Sequence, residues 1–228
     1  MASSYAVSRL TVREAVRVLM GRGLLDLGQG RRASVRQPSG EAFSDLLDVA
    51  TRHDAKFFFD LIEVRQALEI QSATLAAARA NRAGLTTIEG ALSGMGEAVT
   101  AIERGDNRAA AEQRFNRFDI AFHQALALAA DNRMLTFLLD AMASPLAESF
   151  RMSTRGRALR GQTHAATLDA HQAIFAHIGQ ANSRAAARAM QVHLKDAERD
   201  LRAAFGRDAK IDHGQTSAKV VKVTSGRQ

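Results

Sequence analysis

Between residues 8 and 22, SRLTVREAVRVLMGR places apolar side chains at Leu10, Val12, Val16, Leu19 and Met20, near helical spacing, with Gly21 and Gly23 as the stop. Ser8 or Thr11 can cap this helix, and the stretch from Thr11 to Glu14 fits a capping box. Two short apolar pieces follow, Leu24 to Leu27 and Ala33 to Arg36, around a turn at Gly28-Gln29-Gly30. That pattern predicts a small hairpin, and Pro38-Ser39-Gly40 reads as a linker. From residue 41 onward the apolar positions keep helical periodicity, which predicts helices over 41–52, 54–81, 85–104, 106–130, 132–152, 164–180 and 182–205. The expected breaks fall at Gly84, Gly105-Asp106, Asp131-Asn132, Arg155 to Gly161 and Gly179 to Asn182, and Pro145 is expected to kink its helix. Residues 207–228 are polar and aperiodic and read as a disordered tail.

Composition agrees with a mainly α fold. The 228 residues are 46% hydrophobic but only 5% aromatic, with two prolines, which favours helices packed by aliphatic side chains. No cysteine is present, so thiolate metal sites and disulfides are excluded. No apolar run approaches the ~20 residues of a membrane helix, and MASSYAVSRL lacks a signal-peptide core, so no membrane partner and a cytoplasmic location are expected. Charge is unevenly spread. Residues 1–40 hold seven basic and two acidic groups, residues 41–206 are close to neutral, and residues 207–228 are basic again. A basic head suggests a polyanion partner, since phosphate neutralisation dominates nucleic-acid affinity; a solvated face explains the charge equally well.

Arg9, Arg13 and Arg17 recur at i, i+4 and i+8 and so share one face of the first helix, opposite Leu10, Val16 and Leu19. A face of guanidinium groups suits a helix in the DNA major groove, where Arg reads guanine or clamps phosphate. Within the helical body, Asp119 and His123 in RFNRFDIAFHQAL are also one turn apart, about 5–6 Å at Cβ. With His171 and His193 from two other helices they could close on one divalent metal. Three imidazoles and a carboxylate suit zinc, nickel, cobalt or manganese better than calcium. The competing reading is chance spacing, with each histidine on the surface or satisfied in the core. His53, His177 and His213 receive no role, and His164 is a spare ligand.

Two resemblances sharpen these readings. VSRLTVREAVRVLMGRGLLDLGQGRRASV resembles the second half of the winged helix-turn-helix of GntR-family regulators. That resemblance implies DNA contacts from Arg9, Thr11 and Arg13 on the recognition helix and from Gly30, Arg31 and Arg32 at the wing tip. Two helices precede this segment in the family, whereas only Met1 to Val7 stand before it here, and Leu10 is less polar than usual. The expectation is either a start further upstream or weak DNA binding. LIEVRQALEIQSATLAAARA, FDIAFHQALALAADNRML and HQAIFAHIGQANSRAAARAMQVHL resemble three blocks of the FCD effector domain of the FadR subfamily. Metal-binding members carry Asp-x-x-x-His, then a His opening the penultimate helix, then a His before Leu in the last helix, which Asp119, His123, His171 and His193 match in order. Arg65 matches a recurrent arginine and has two readings: an anchor for an effector carboxylate, or a partner for Glu69 at i+4 or for nearby Glu63. Asn132 matches too, as a helix cap.

The expected architecture is a six-to-seven-helix antiparallel bundle over 38–206 that binds metal and dimerises, a partial winged helix-turn-helix with a hairpin wing over 1–37, and a basic tail over 207–228. The expected function is a homodimeric transcriptional regulator of double-stranded operator DNA, modulated by a small carboxylate effector at a divalent metal, zinc first. Two alternatives stand beside it: a metal-dependent enzyme using His164 or Asp169 as base, and a truncated effector-binding protein without DNA affinity.

Overall fold

The computed structural model describes residues 6–26, 33–35, 44, 47 and 55–206. Helix α1 spans Arg9–Gly21, and the Ser8 hydroxyl accepts the Thr11 N–H at 3.0 Å, so Ser8 is the cap. The expected capping box at Thr11 does not form. With the helix starting at Arg9, the Thr11 hydroxyl pairs with that of Ser8, and Glu14 lies inside the helix, where it accepts from Arg17. The helix ends in a Schellman motif: Gly23 at φ 69° donates to the Met20 carbonyl and Leu24 to that of Leu19. Strands β1 (Leu25–Asp26) and β2 (Ser34–Val35) form the expected antiparallel hairpin, with Leu25 opposite Val35. Its turn, with Gly30, Arg31 and Arg32, lies outside the described residues, as do Pro38 to Gly40, the tail over 207–228, and the helix expected over 41–52 apart from Ser44 and Leu47, both helical.

Seven further helices make the body: α2 (Ala55–Arg79), α3 (Arg82–Glu103), α4 (Arg108–Ala129), α5 (Arg133–Ala141), α6 (Ala143–Leu159), α7 (His164–Gly179) and α8 (Ser183–Phe205). The longest contacts join α3 to α4, α2 to α8 and α6 to α8. Phe115, Phe122, Ile88, Met95, Ile174, Met190 and Leu194 form the main core, and Leu61, Leu139, Leu146 and Phe150 a smaller one beside it. Asn81, Asn107, Asn132, Thr163 and Asn182 each cap a helix with a side-chain oxygen. No helix of the described residues is long and apolar enough to cross a membrane.

Three sequence expectations change. The break assigned to Gly84 falls at Ala80 and Asn81, because Asn81 accepts the Gly84 N–H at 2.9 Å and draws Gly84 into the first turn of α3. The helix expected over 132–152 is two helices divided at Met142. Pro145, with no N–H and a ring that crowds the carbonyl four residues back, stands in the first turn of the second helix instead of kinking one long helix. Helix α6 also runs through Arg155 to Leu159, so the break follows at Arg160 to Thr163. Gly156 is needed inside that helix, because a Cβ there would lie 1.7 Å from the Asp200 carbonyl oxygen. Its bare backbone lets α6 approach α8.

Candidate metal centre

Asp119 and His123 project from α4, His171 from α7 and His193 from α8 into one buried point, and none of the four is more than 6% exposed. Asp119 Oδ1 lies 2.9 Å from His171 Nε2 and 3.4 Å from His123 Nε2, and those two nitrogens are 3.4 Å apart. The donor nitrogens of His123, His171 and His193 all lie within 4.8 Å of one another. Phe122 sits edge-on to both His123 and His171, and Phe150 stacks on His123, so the rings are fixed by packing.

The far side of each ring explains which nitrogen faces inward. His171 Nδ1 donates to the Thr167 carbonyl at 2.7 Å, one turn back on α7, which leaves the Nε2 lone pair pointing at the centre. His123 Nδ1 abuts Glu69 Oε2 from α2, which turns its Nε2 inward as well. Arg65 Nε donates to Glu69 Oε1 at 2.6 Å and its guanidinium lies 4.7 Å from the Phe150 ring centre. Arg65 is therefore the intrahelical partner of Glu69 in this structure, with Nη2 left over. His193 Nε2 is buried without any hydrogen-bond partner.

Burial shapes the protonation of this cluster. It pushes His193 well below its ordinary value, and the charges of His171 and His123 add to that, so His193 stays neutral with a free lone pair. Burial alone would raise Asp119, but His171 and His123 outweigh it and hold the carboxyl well below its usual range. Burial would raise Glu69 too, yet Arg65 and His123 bring it down to about 2. For His123, burial is overcome by the Glu69 charge and the value rises. An ionised carboxylate and a neutral orphan imidazole, buried face to face with two more imidazoles, are uncompensated in protein alone. One divalent cation of borderline softness answers all four, and this donor set fits zinc, nickel or manganese.

Sequence reasoning brought Asp119, His123, His171 and His193 together, and the structure places all four in this cluster. His164 is not part of it; its ring packs edge-on to Phe115 in another cavity. Asp169 is exposed. Sequence reasoning missed the contact of Glu69 with His123, because Glu69 showed only its spacing from Arg65. Arg9, Thr11 and Arg13 are all exposed on α1, which buries none of its side chains.

Residues 60–196 match the FCD domain family. The chain is 32% identical over 199 residues to the HTH-type transcriptional regulator LutR of Bacillus subtilis, covering 87% of this chain and 86% of that protein. It is 27% identical to the Glc operon transcriptional activator of Escherichia coli K12, over 85% of this chain and 74% of the relative. A 28% identical relative is the galactonate operon transcriptional repressor of Escherichia coli K12, over 89% of this chain and 84% of that protein. Among solved structures, a GntR protein of Streptococcus agalactiae superimposes with a TM-score of 0.65 at 27% identity, over 87% of this chain and 85% of that one.

Proposed function

The chain belongs to the GntR family of transcriptional regulators, in the branch that carries an FCD effector domain, and from that membership we propose a metal-dependent sensor of a small organic acid. Its relatives are regulators of transcription and not enzymes, which removes the metalloenzyme alternative. In the proposed organisation, residues 1–37 are the DNA-binding head, 38–206 the effector and dimerisation domain and 207–228 a basic tail, in a cytoplasmic homodimer.

The observation that carries the reading is the convergence of Asp119, His123, His171 and His193 with His193 Nε2 left unpartnered. These residues would hold the metal, zinc before nickel or manganese, and a six-coordinate ion would supply open positions for carboxylate oxygens. Phe122 and Phe150 hold the imidazoles rigid, Glu69 and Thr167 orient them, and Arg65 keeps Glu69 ionised. Arg65 Nη2 keeps a free donor for an effector carboxylate. On the head, Arg9, Thr11 and Arg13 face solvent for the major groove, with Gly30, Arg31 and Arg32 assigned to the wing. The acid alters operator affinity by favouring one placement of the two heads over the other.

The test is metal content and affinity of the purified chain. About one equivalent of transition metal per chain is expected from the four-ligand set, and loss of most of it in His193→Ala and Asp119→Ala. A wild-type chain that takes up no zinc, nickel or manganese after chelator treatment and reloading would sink the proposal.

A second reading is a sensor without useful DNA affinity. It is favoured by α1, which buries none of its side chains and leaves Leu10 67% exposed.

A further inference from the structure

One buried guanidinium outside the metal cluster lacks an acceptor. Arg157 on α6 is 8% exposed, and its Nη1 has no hydrogen-bond partner. Its nearest acid is Asp200 on α8, whose Oδ2 lies 3.4 Å from Arg157 Nε. That carboxylate is shared. Arg160 donates to Asp200 Oδ1 at 2.5 Å, and the Ser153 hydroxyl donates to Oδ2 at 3.1 Å. One acid between two guanidinium groups leaves a surplus of buried positive charge at Arg157, an arrangement that favours an anion.

Arg157 lines a cavity of about 220 Å³ between α3, α4, α6 and α7, together with Val99, Ile102, Thr154 and His164. His164 Nε2 is buried there and has no partner either. Burial, then the charge of Arg157, pushes His164 below its ordinary value, so it presents a neutral imidazole that can donate or accept. The nearby hydroxyl of Thr154 is already committed to Asn116 at 3.1 Å. The two orphaned groups in the cavity wall are thus a cationic fork and a neutral ring, above an apolar floor. The volume lies below the roughly 300 Å³ at which drug-sized pockets begin, which admits a small acid and excludes a bulky acyl carrier.

Arg157 also lines a smaller cavity of about 40 Å³, whose wall includes His193 of the metal cluster. Its guanidinium therefore borders the outer cavity on one side and a space shared with the imidazole cluster on the other. Arg65 differs on both counts. Its charge is matched by Glu69 at 2.6 Å, and it lines neither cavity.

We infer that the cavity between α3, α4, α6 and α7 is a carboxylate-binding site, with Arg157 as the anchoring cation and His164 as the second polar contact. The inference rests on the reading above, that the bundle responds to a small organic acid, and it moves the principal carboxylate anchor from Arg65 to Arg157.

The test is isothermal titration of the full chain, metal-loaded and chelator-treated, with acetate, 2-hydroxypropionate, succinate and citrate, and with inorganic phosphate as the non-carboxylate arm. At least one of these carboxylates is expected to bind. Arg157→Met and Arg157→Lys should weaken that binding roughly tenfold to a hundredfold, the scale of one lost charge-assisted hydrogen bond. His164→Gln, which keeps a polar tip, should weaken it less. Arg157→Lys retains a cation for Asp200, so it decides the matter should Arg157→Met fail to give a native circular-dichroism spectrum. No binding by any of the four acids, unchanged affinity in folded Arg157 variants, or phosphate binding as tightly as the best acid would each overturn the site. Binding that needs Asp119 and His193 but ignores Arg157 would overturn this inference and leave the proposed function standing. Arg157-dependent binding that leaves operator affinity unchanged would do the reverse.

Discussion

Glu69 touches His123 on the ring nitrogen away from the cluster, so its influence on a metal would be through orientation and basicity. Glu69→Gln keeps the shape and removes the charge. Zinc affinity measured by competition with a chelating dye is expected to fall about tenfold to a hundredfold, as for other outer partners of metal-bound histidines; an unchanged affinity would mean the contact is only structural. The same residue sets a pH window. Its folded value of about 2 lies below the ordinary 4.5, so the stability it contributes is present above about 4.5 and is lost as pH falls toward 2. Urea melts of the chelator-treated chain at pH 6 and pH 3 should show a smaller loss in Glu69→Gln than in wild type, and equal losses would contradict the assignment. His123 carries the opposite sign. Its raised value means that its pairing stabilises the metal-free fold at low pH and ceases to do so as pH rises through that value. Metal must displace that proton, so affinity should rise over the same range.

At the scale of elements, glycine and the left-handed residues decide where helices meet and stop. Gly156→Ala would force a Cβ against the Asp200 carbonyl, so α6 and α8 must separate, at a cost of about 1–3 kcal/mol or more. A chemical melt within a few tenths of a kcal/mol of wild type would mean the two helices are less tightly set than described. Helix α7 ends in the opposite situation, with Ala181 at φ 55° donating to the Ile178 carbonyl. Ala181→Gly removes the Cβ penalty of that conformation and is expected to stabilise the fold by about 0.5–1 kcal/mol, read as a higher melting temperature; a lower one would contradict the strain. Most helices were legible from periodicity because each lays an apolar stripe on one core. The failures have local causes. Asn81 captured Gly84 as part of its cap, and Gly156 works as a contact inside a helix where its type suggested an end.

For the whole molecule, charge and core occupy separate places. The excess of basic groups in residues 1–40 lies on a head whose helix α1 buries none of its side chains, while the bundle holds the two apolar cores. Fluorescence anisotropy with the DNA upstream of its own gene should show affinity that falls with salt, and Arg9→Ala/Arg13→Ala should lower the slope of log affinity against log salt by about two, near 0.9 per phosphate contact. No preference for that DNA over a scrambled duplex would favour the sensor without DNA affinity. By itself the sequence determined the helical class, the hairpin, the caps at Ser8 and Asn132, and the set of Asp119, His123, His171 and His193, because periodicity, capping chemistry and ordered motifs are local properties of the chain. Tertiary structure alone decided the partners of those residues. Arg65 turns to Glu69, Glu69 to His123, and Arg157 keeps an unpaired donor because Asp200, 43 residues further on, is already shared with Arg160. Hydrogen bonds and desolvation depend on which groups packing brings within a few ångströms, and residues distant along the chain carry no periodic trace of that.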